Sequence, residues 1–423
     1  MKSADNWADS ADGIKVAYVL LWFPLASETF VFREISALTQ EGLNILVFTL
    51  YGKFLKGCSE KMKNWPGPVY RMGSRAFFRI LFAWLRAFRK RPAFVWQLMR
   101  KGLFRKMRNL EALGENIWSF FAGFLLAEKC VEEKINLIHS AWANGPATAA
   151  WIASQLSGIP FAFTGRAGDI YPEDGLLTEK CRDATFIRTN NAANVNWLQS
   201  FCPKAEKEKV RLVYNRFIFG SDFSEKIPMP NLPPKILAVG RFVRTKGFPD
   251  LLTALARLRR ENYPVQLTLI GDGAWRRRLL RQIKRQRLED YVKMPGFIPN
   301  DLLIEHMRNH DLLVVPSVVH ANGDRDGIPN VIMEALSLGL PVVATDVCGI
   351  GEVVRTGQTG LLTPQRRPDL LAVGIRKMLA NPEESRRLAQ AGNRLVREMF
   401  NPSKNTASLL SLYKAAAQSG GNG

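Results

Sequence analysis

The chain is 423 residues long, 47% hydrophobic and 23% charged, a globular composition too long for one comfortable hydrophobic core, so two domains are expected. Lys and Arg total 59 against 38 Asp and Glu, a formal net charge of +21, which points to an anionic partner: nucleic acid, a membrane surface or a phosphorylated substrate. The five cysteines (Cys58, Cys130, Cys181, Cys202 and Cys348) form no CxxC pair and have no His at ligand spacing, which argues against a disulfide framework or a zinc site and for free thiols in a reducing compartment.

The opening MKSADNWADSAD is polar and acidic, unlike the basic-then-apolar start of a signal peptide. No run reaches the ~18 apolar residues of a membrane span, so a cytoplasmic protein, soluble or peripheral, is expected. Residues 14–23 (IKVAYVLLWF) predict a buried strand, 27–40 a helix and 44–50 (NILVFTL) a second strand. Between Glu60 and Glu111 there is no acidic residue, and 71–107 (RMGSRAFFRILFAWLRAFRKRPAFVWQLMRKGLFRKM) interleaves Arg and Lys with Phe, Trp, Leu and Met. That is the composition of an interfacial helix on anionic lipid, although core-packing helices with a solvated basic face would carry the same residues. Further strands are predicted at 137–139, 160–164 and 184–188, with helices between them, such as 147–157. Near-continuous apolar strands separated by helices make a parallel sheet covered on both faces.

Residues 226–235 (KIPMPNLPPK) hold four prolines and cannot continue a helix or a central strand, so they are expected to link two domains, 1–225 and 236–400. The basic amphipathic segment, 71–108, falls in the first. After the linker the alternation restarts with ILAVG at 236–240, VQLTLIGDG at 265–273, LLVVPS at 312–317 and PVVATD at 341–346. Two parallel α/β units joined this way leave a cleft facing the carboxyl ends of the strands. A last helix and a frayed tail fill 401–423.

The most specific segment is 324–354, DRDGIPNVIMEALSLGLPVVATDVCGIGEVV. Pro329 suits the first turn of a helix and Gly339 its end, so 330–338 should be helical, with Asp326 in the loop before it and Glu334 on it. The free N–H groups at such a helix start suit a diphosphate. A second segment, ILAVGRFVRTKGFPDLLTAL at 236–255, ends a buried strand at Gly240 and places Arg241 and Lys246 on the loop before a helix near Phe248. Two cations there suit a diphosphate leaving group. GDG at 271–273 closes a strand, and MPGFIPNDLL covers 294–303. His306 and His310 lie four apart with no third ligand nearby, the pattern of a helix-surface pair rather than a metal site.

Residues 324–354 resemble the E-x7-E signature of retaining glycosyltransferases of family 4 with the GT-B fold, and the G-x-P-V-V-A-T-D segment that follows it. Here the first acidic position is Asp326, not Glu, and the second is Glu334. Residues 236–255 are similar to the family's G-R-x5-K-G element, and 294–303 to its loop near the nucleobase. The resemblance implies two Rossmann-like α/β domains facing a cleft, the amino-terminal one for the acceptor and the carboxyl-terminal one for a nucleotide sugar. It implies Asp326, Arg241 and Lys246 as catalytic, with Asp326 near the donor sugar, the two cations on the pyrophosphate and Glu334 on the ribose. Gly240, Gly271, Phe297, Gly327, Ile328, Pro329 and Asn330 complete the implied donor site.

In the amino-terminal half, 23–38 (FPLASETFVFREISAL) is similar to the donor-cleft loop of exopolysaccharide transferases, with Ser27, Glu28 and Thr29 in place of glycines. Residues 138–171 look like the family's H-x-H-F…F-T-x-H-x-x-D-I region. His139 and Asp169 are kept there, Ala141 stands at the second His position, and Arg166 and Gly168 replace others. Glu28, His139, Arg166 and Asp169 are therefore the candidates for contacting acceptor or sugar; a strand-end histidine and a loop ion pair are the ordinary alternatives.

The family further implies retention of configuration, no metal and no cofactor beyond a UDP- or GDP-linked sugar as substrate. The expected acceptor is a glycan or lipid-linked glycan in exopolysaccharide, capsule or lipopolysaccharide assembly. With the basic segment, this puts the enzyme peripherally on the anionic inner face of the cytoplasmic membrane, with no nucleic acid as partner. Two other classes compete: a nucleic-acid-binding protein, from charge alone, and a degenerate transferase serving as scaffold, from Asp326 and Ala141.

Overall fold

The computed structural model describes residues 13–104, 113–172, 174–219 and 231–419. The chain divides into two units, Met1–Arg216 with Pro402–Gly423, and Phe217–Asn401.

In the first unit the strands are β1 (Lys15–Leu25), β2 (Asn44–Phe54), β3 (Val69–Arg71), β4 (Leu137–Ser140), β5 (Phe161–Gly165), β6 (Phe186–Thr189) and β7 (Val210–Leu212), in the order β3-β2-β1-β4-β5-β6-β7. Every pairing is parallel. Successive side chains of a strand point to opposite faces. Val16, Tyr18 and Leu20 therefore enter one core with Ile45 and Val47, while Ala17 and Val19 enter another with Leu46, Phe48, Phe120 and Trp151. Both faces are buried, which is why β1 reads as a continuous apolar run. The helix Pro402–Ser419 belongs to this unit and lays Leu409, Tyr413 and Ala416 into the core of Tyr18. Strand order reverses between β1 and β4, a switch point of the kind that opens a crevice at the carboxyl ends of strands.

The second unit holds β8 (Lys235–Val239), β9 (Gln266–Ile270), β10 (Val292–Gly296), β11 (Leu312–Val315), β12 (Val342–Thr345) and β13 (Leu361–Thr363), ordered β10-β9-β8-β11-β12-β13 and again parallel. Here the switch point lies between β8 and β11. Helix Phe248–Arg260 buries Leu251, Ala254, Leu255 and Leu258 against the sheet core, the i, i+3, i+4, i+7 set that a 3.6-residue period puts on one face.

The boundary between units falls at 216/217, not within the proline-rich stretch expected to link them. Phe217 N donates to Phe400 O at 3.2 Å, and the Arg397 guanidinium sits 5.0 Å over the Phe219 ring, which ties 217–219 to the second unit. Asn231 and the Lys235 amide bind the Asp311 carboxylate, so 231–235 already belongs to the second unit. Residues 226–230 of the expected linker lie outside the described residues, as do 105–108 of the basic segment, the first dozen residues and 420–423.

Candidate active site

The carboxyl ends of β8 and β11 meet at the switch point of the second sheet, and the loops that leave them carry the polar side chains singled out in the sequence. After β8 the chain runs through Gly240 and Arg241 to the tight turn Arg244–Lys246 and then to Gly247, whose φ is +61°. A Cβ on Gly247 would lie 1.8 Å from Pro316 O, so only glycine lets this loop lie against the exit of β11. A bond from Val318 N to Thr245 O, 2.8 Å, clamps the two loops together.

That clamp brings Lys246 to Asp326. The Lys246 stem passes over Gly240, where an added Cβ would meet its Cδ at 3.3 Å, and its Nζ donates to Asp326 Oδ1 at 2.8 Å. Ser317 Oγ donates to the other oxygen, Oδ2, at 2.5 Å, and Ser317 is itself held by Thr345 Oγ1 donating to its carbonyl at 2.5 Å. Both carboxylate oxygens are thus fixed from one side. The Lys246 and Asp326 side chains keep 18% and 16% exposure, so the pair is screened weakly but remains reachable.

Beside them lies Asp324, half-buried. Burial, and then the Asp326 charge, raise its carboxyl above the usual range, while Arg244 and Arg241 pull the other way. Arg241 itself is exposed. Gly327, Ile328 and Pro329 are half-buried and lead to the helix Asn330–Ser337. Pro329 stands just before that helix with extended ψ of 130°, not inside its first turn, and no side chain caps the helix start. Ile332 N turns back onto Pro329 O at 3.0 Å, which leaves the Asn330 and Val331 N–H groups as the ones to meet an anion. Glu334 is half-buried one turn in.

Gly271 closes β9 with φ +138°, and a Cβ there would lie 2.0 Å from Gly240 O, so the exits of β8 and β9 pack backbone to backbone. Phe297, past β10, is 76% exposed. His306 and His310 serve the fold: His310 Nε2 meets Thr268 Oγ1 at 2.8 Å and its Nδ1 faces His306 O at 2.5 Å. Among the described residues no group of His, Cys, Asp and Glu has metal-site geometry.

In the first unit three of the four candidates come together at the β1/β4 switch point. Arg166, just past β5, has its guanidinium between the rings of Phe30 and Trp142, 4.9 and 4.8 Å from their centroids, and donates to Ala141 O. Its Nε and Nη2 are buried without a hydrogen-bond partner. Glu28 faces Trp142 and Arg166; burial raises its carboxyl, and both neighbours oppose that. Asp169 accepts from Ala143 N and Arg166 N, each at 2.6 Å, yet burial still pushes it up to about 7.

The fourth candidate, His139, is a correction. It is fully buried between Tyr18, Phe186 and Tyr413, with Nε2 3.1 Å from Thr164 Oγ1. Burial holds it near pKa 3, hence neutral. The helix Pro402–Ser419 covers it through Tyr413, so it is a core residue rather than a contact for acceptor. Ser317, Asp324 and Arg244 were not foreseen. A serine two residues past a buried strand was the available signal for the first.

Residues 221–395 match the family described as Glycosyl transferases group 1. The chain is 25% identical over 382 residues to the putative colanic acid biosynthesis glycosyltransferase WcaL of Escherichia coli, covering 85% of this chain and 89% of that one. It is 34% identical over 140 residues to the amylovoran biosynthesis glycosyltransferase AmsK of Erwinia amylovora, about a third of each chain (33% and 34%). Among solved structures, Anabaena Alr3699/HepE in complex with UDP superposes with a TM-score of 0.67 over 95% of this chain and all of that one (100%), at 18% identity. Sucrose-phosphate synthase from Thermosynechococcus elongatus does so with 0.68 over 95% and 98%, at 20% identity. Two parallel sheets and these neighbours give the chain the GT-B fold, and its residues 221–395, which include those gathered where β8 and β11 end, match the group 1 glycosyltransferases.

Proposed function

We propose that the enzyme transfers a hexose, with retention of anomeric configuration, from a UDP- or GDP-linked donor to a glycan or lipid-linked acceptor in exopolysaccharide, capsule or lipopolysaccharide assembly. The observation that carries this reading is the Lys246–Asp326–Ser317 set beside the uncapped start of helix Asn330–Ser337. As the anomeric carbon becomes oxocarbenium-like, the departing diphosphate gathers charge. Lys246, Arg241 and the helix N–H groups of the Gly327–Asn330 turn are donors of the right sign and placement to stabilise it, without a metal. Asp326 then orients the sugar rather than forming a bond to it, and Glu334 holds the ribose. Gly240 and Gly271 let the backbone approach the donor, and Phe297 offers an aromatic face to the base.

Further support comes from relatives named for colanic acid and amylovoran biosynthesis and from a fold neighbour solved with UDP-glucose. Glu28, Arg166 and Asp169 form the proposed acceptor side in the first unit. A lipid-linked acceptor puts the reaction at the inner face of the cytoplasmic membrane, where the enzyme is peripheral; no helix of the described residues is long and apolar enough to cross a membrane. The test is Lys246→Ala, assayed against a panel of UDP- and GDP-sugars. Loss of a leaving-group donor predicts a fall in kcat of about a hundredfold or more, and turnover equal to the native enzyme refutes the role.

A further inference from the structure

The helix Phe77–Lys90 has two apolar sides, and only one of them is packed. Ile80 and Ala83 are buried where this helix lies along Leu113–Glu132. Arg86 forks onto Glu128 of that neighbour, Nε to Oε1 at 2.8 Å and Nη2 to Oε2 at 2.5 Å. On the opposite side Phe78, Phe82 and Leu85 follow i, i+4, i+7 spacing, which makes one stripe. They are 67%, 54% and 38% exposed. Arg79, Arg89 and Lys90 stand beside that stripe, all exposed.

The next helix, Pro92–Gly102, repeats the arrangement. Val95 and Leu98 face the core, while Trp96 and Arg100, one turn apart, face outward. The Trp96 ring meets that of Phe104 at 6.1 Å, and both remain more than half exposed. A helix on the surface of a soluble protein carries polar residues on its outer side. Here the outer side is aromatic, rimmed by cations, with no acidic residue in either helix. Core packing does not explain these rings, because they are not in the core.

Charge and ring chemistry together select the occupant. Aromatic side chains settle at the boundary between headgroups and acyl chains, and guanidinium groups reach the phosphates above them. We propose that this face seats the enzyme on an anionic bilayer, with Phe78, Phe82, Leu85 and Trp96 at the headgroup–acyl boundary and Arg79, Arg89 and Arg100 on lipid phosphates. This deepens the proposed peripheral location and rests on it, but it is independent of the sugar-transfer chemistry.

The experiment is co-sedimentation of the full chain with vesicles of phosphatidylglycerol-rich or pure phosphatidylcholine composition. Strong binding to the first and weak binding to the second is expected. Phe78→Ser with Phe82→Ser should cut partitioning about tenfold or more, and Arg79→Glu with Arg89→Glu should remove the salt-sensitive part. Bromine-labelled phosphatidylglycerol should quench tryptophan fluorescence, and Trp96→Phe should abolish most of that quenching. Turnover on a water-soluble acceptor should be unchanged in all these variants, and thermal melting confirms that each is folded. Equal binding to both vesicle types, unaltered binding by the Phe78/Phe82 variant, or a dimer that buries this face overturns the proposal. So does binding to RNA that the arginine variants abolish while vesicles are ignored. A native enzyme that binds vesicles yet turns over no donor would instead overturn the transfer reading alone.

Discussion

Lys246 and Asp326 share a bond that the proposed chemistry must loosen, since the lysine is wanted by a diphosphate and the carboxylate by a sugar. Ser317 matters for that reason. Its hydroxyl keeps Asp326 Oδ2 in place while Oδ1 changes partner, and Thr345 keeps Ser317 in place. Ser317→Ala should therefore lower kcat about tenfold or more and leave the donor KM nearly as it was, with Ser317→Thr restoring part of the loss. A change confined to KM, measured by steady-state kinetics, would show that Ser317 serves binding and not placement. Lys246, Asp326 and Glu334 stand out in the sequence because each sits where a strand–loop–helix pattern ends or restarts. Ser317 and Asp324 do not, because Ser317 meets Asp326 only through the fold of the loop between them and Asp324 faces Arg241 and Arg244, much earlier in the chain.

Two buried residues of the first unit, His139 and Asp169, titrate in opposite senses. His139 stays neutral down to about 3, whereas the unfolded chain protonates it near 6.5. Between those values the unfolded state binds the extra proton, so this residue removes stability as pH falls, by about 1.4 kcal/mol per pH unit. Asp169, raised to about 7 from 3.8, acts in the other direction: the folded state binds the extra proton, and stability is lost as pH rises across that range. His139→Phe should thus gain melting temperature relative to the native chain as pH is lowered from 6.5 towards 4. A parallel pH profile for the two proteins would contradict the buried, neutral histidine.

At the scale of elements, the glycines at strand exits decide whether a site exists. Gly247→Ala forces a left-handed backbone on a residue with a Cβ, a cost of roughly 1–2 kcal/mol, and drives that Cβ into Pro316 O. The loop must move away from β11 and carry Lys246 with it, so donor affinity should fall along with the melting temperature, as calorimetry can measure. The strands that apolar runs predict are the inner ones, where both faces are covered. β3, β7, β10 and β13 are not predicted, and they are the outer strands of the two sheets. β3 and β7 have three residues each with an exposed arginine, β10 contains Lys293 and Pro295, and β13 is only Leu361–Thr363. An edge strand buries less and tolerates charge and proline, which erases the signal by which strands are read. The unit boundary was misjudged for a related reason: prolines mark where no helix runs, while the packing of 217–219 depends on Phe400 and Arg397, distant in sequence.

For the molecule as a whole, the surplus of 21 positive charges has at least two uses. On the readings proposed above, Arg241 and Lys246 past β8 serve a phosphorylated donor, and the cations on helices Phe77–Lys90 and Pro92–Gly102 serve a lipid surface. The family resemblance and the two-sheet architecture were legible because the second unit carries its motifs in contiguous segments. The first unit was less so: His139, which looked like a site residue, belongs to the core, and Arg166 is held by rings from Phe30 and Trp142 that no local pattern connects. The central claim is that the second unit binds a nucleotide diphosphate through Lys246, and isothermal titration of the full chain with UDP and with GDP tests it most directly. Saturable binding of one of them is predicted, weakened at least tenfold, or about 1.4 kcal/mol, in Lys246→Ala; no binding of either nucleotide, or undiminished affinity in the variant, would contradict it.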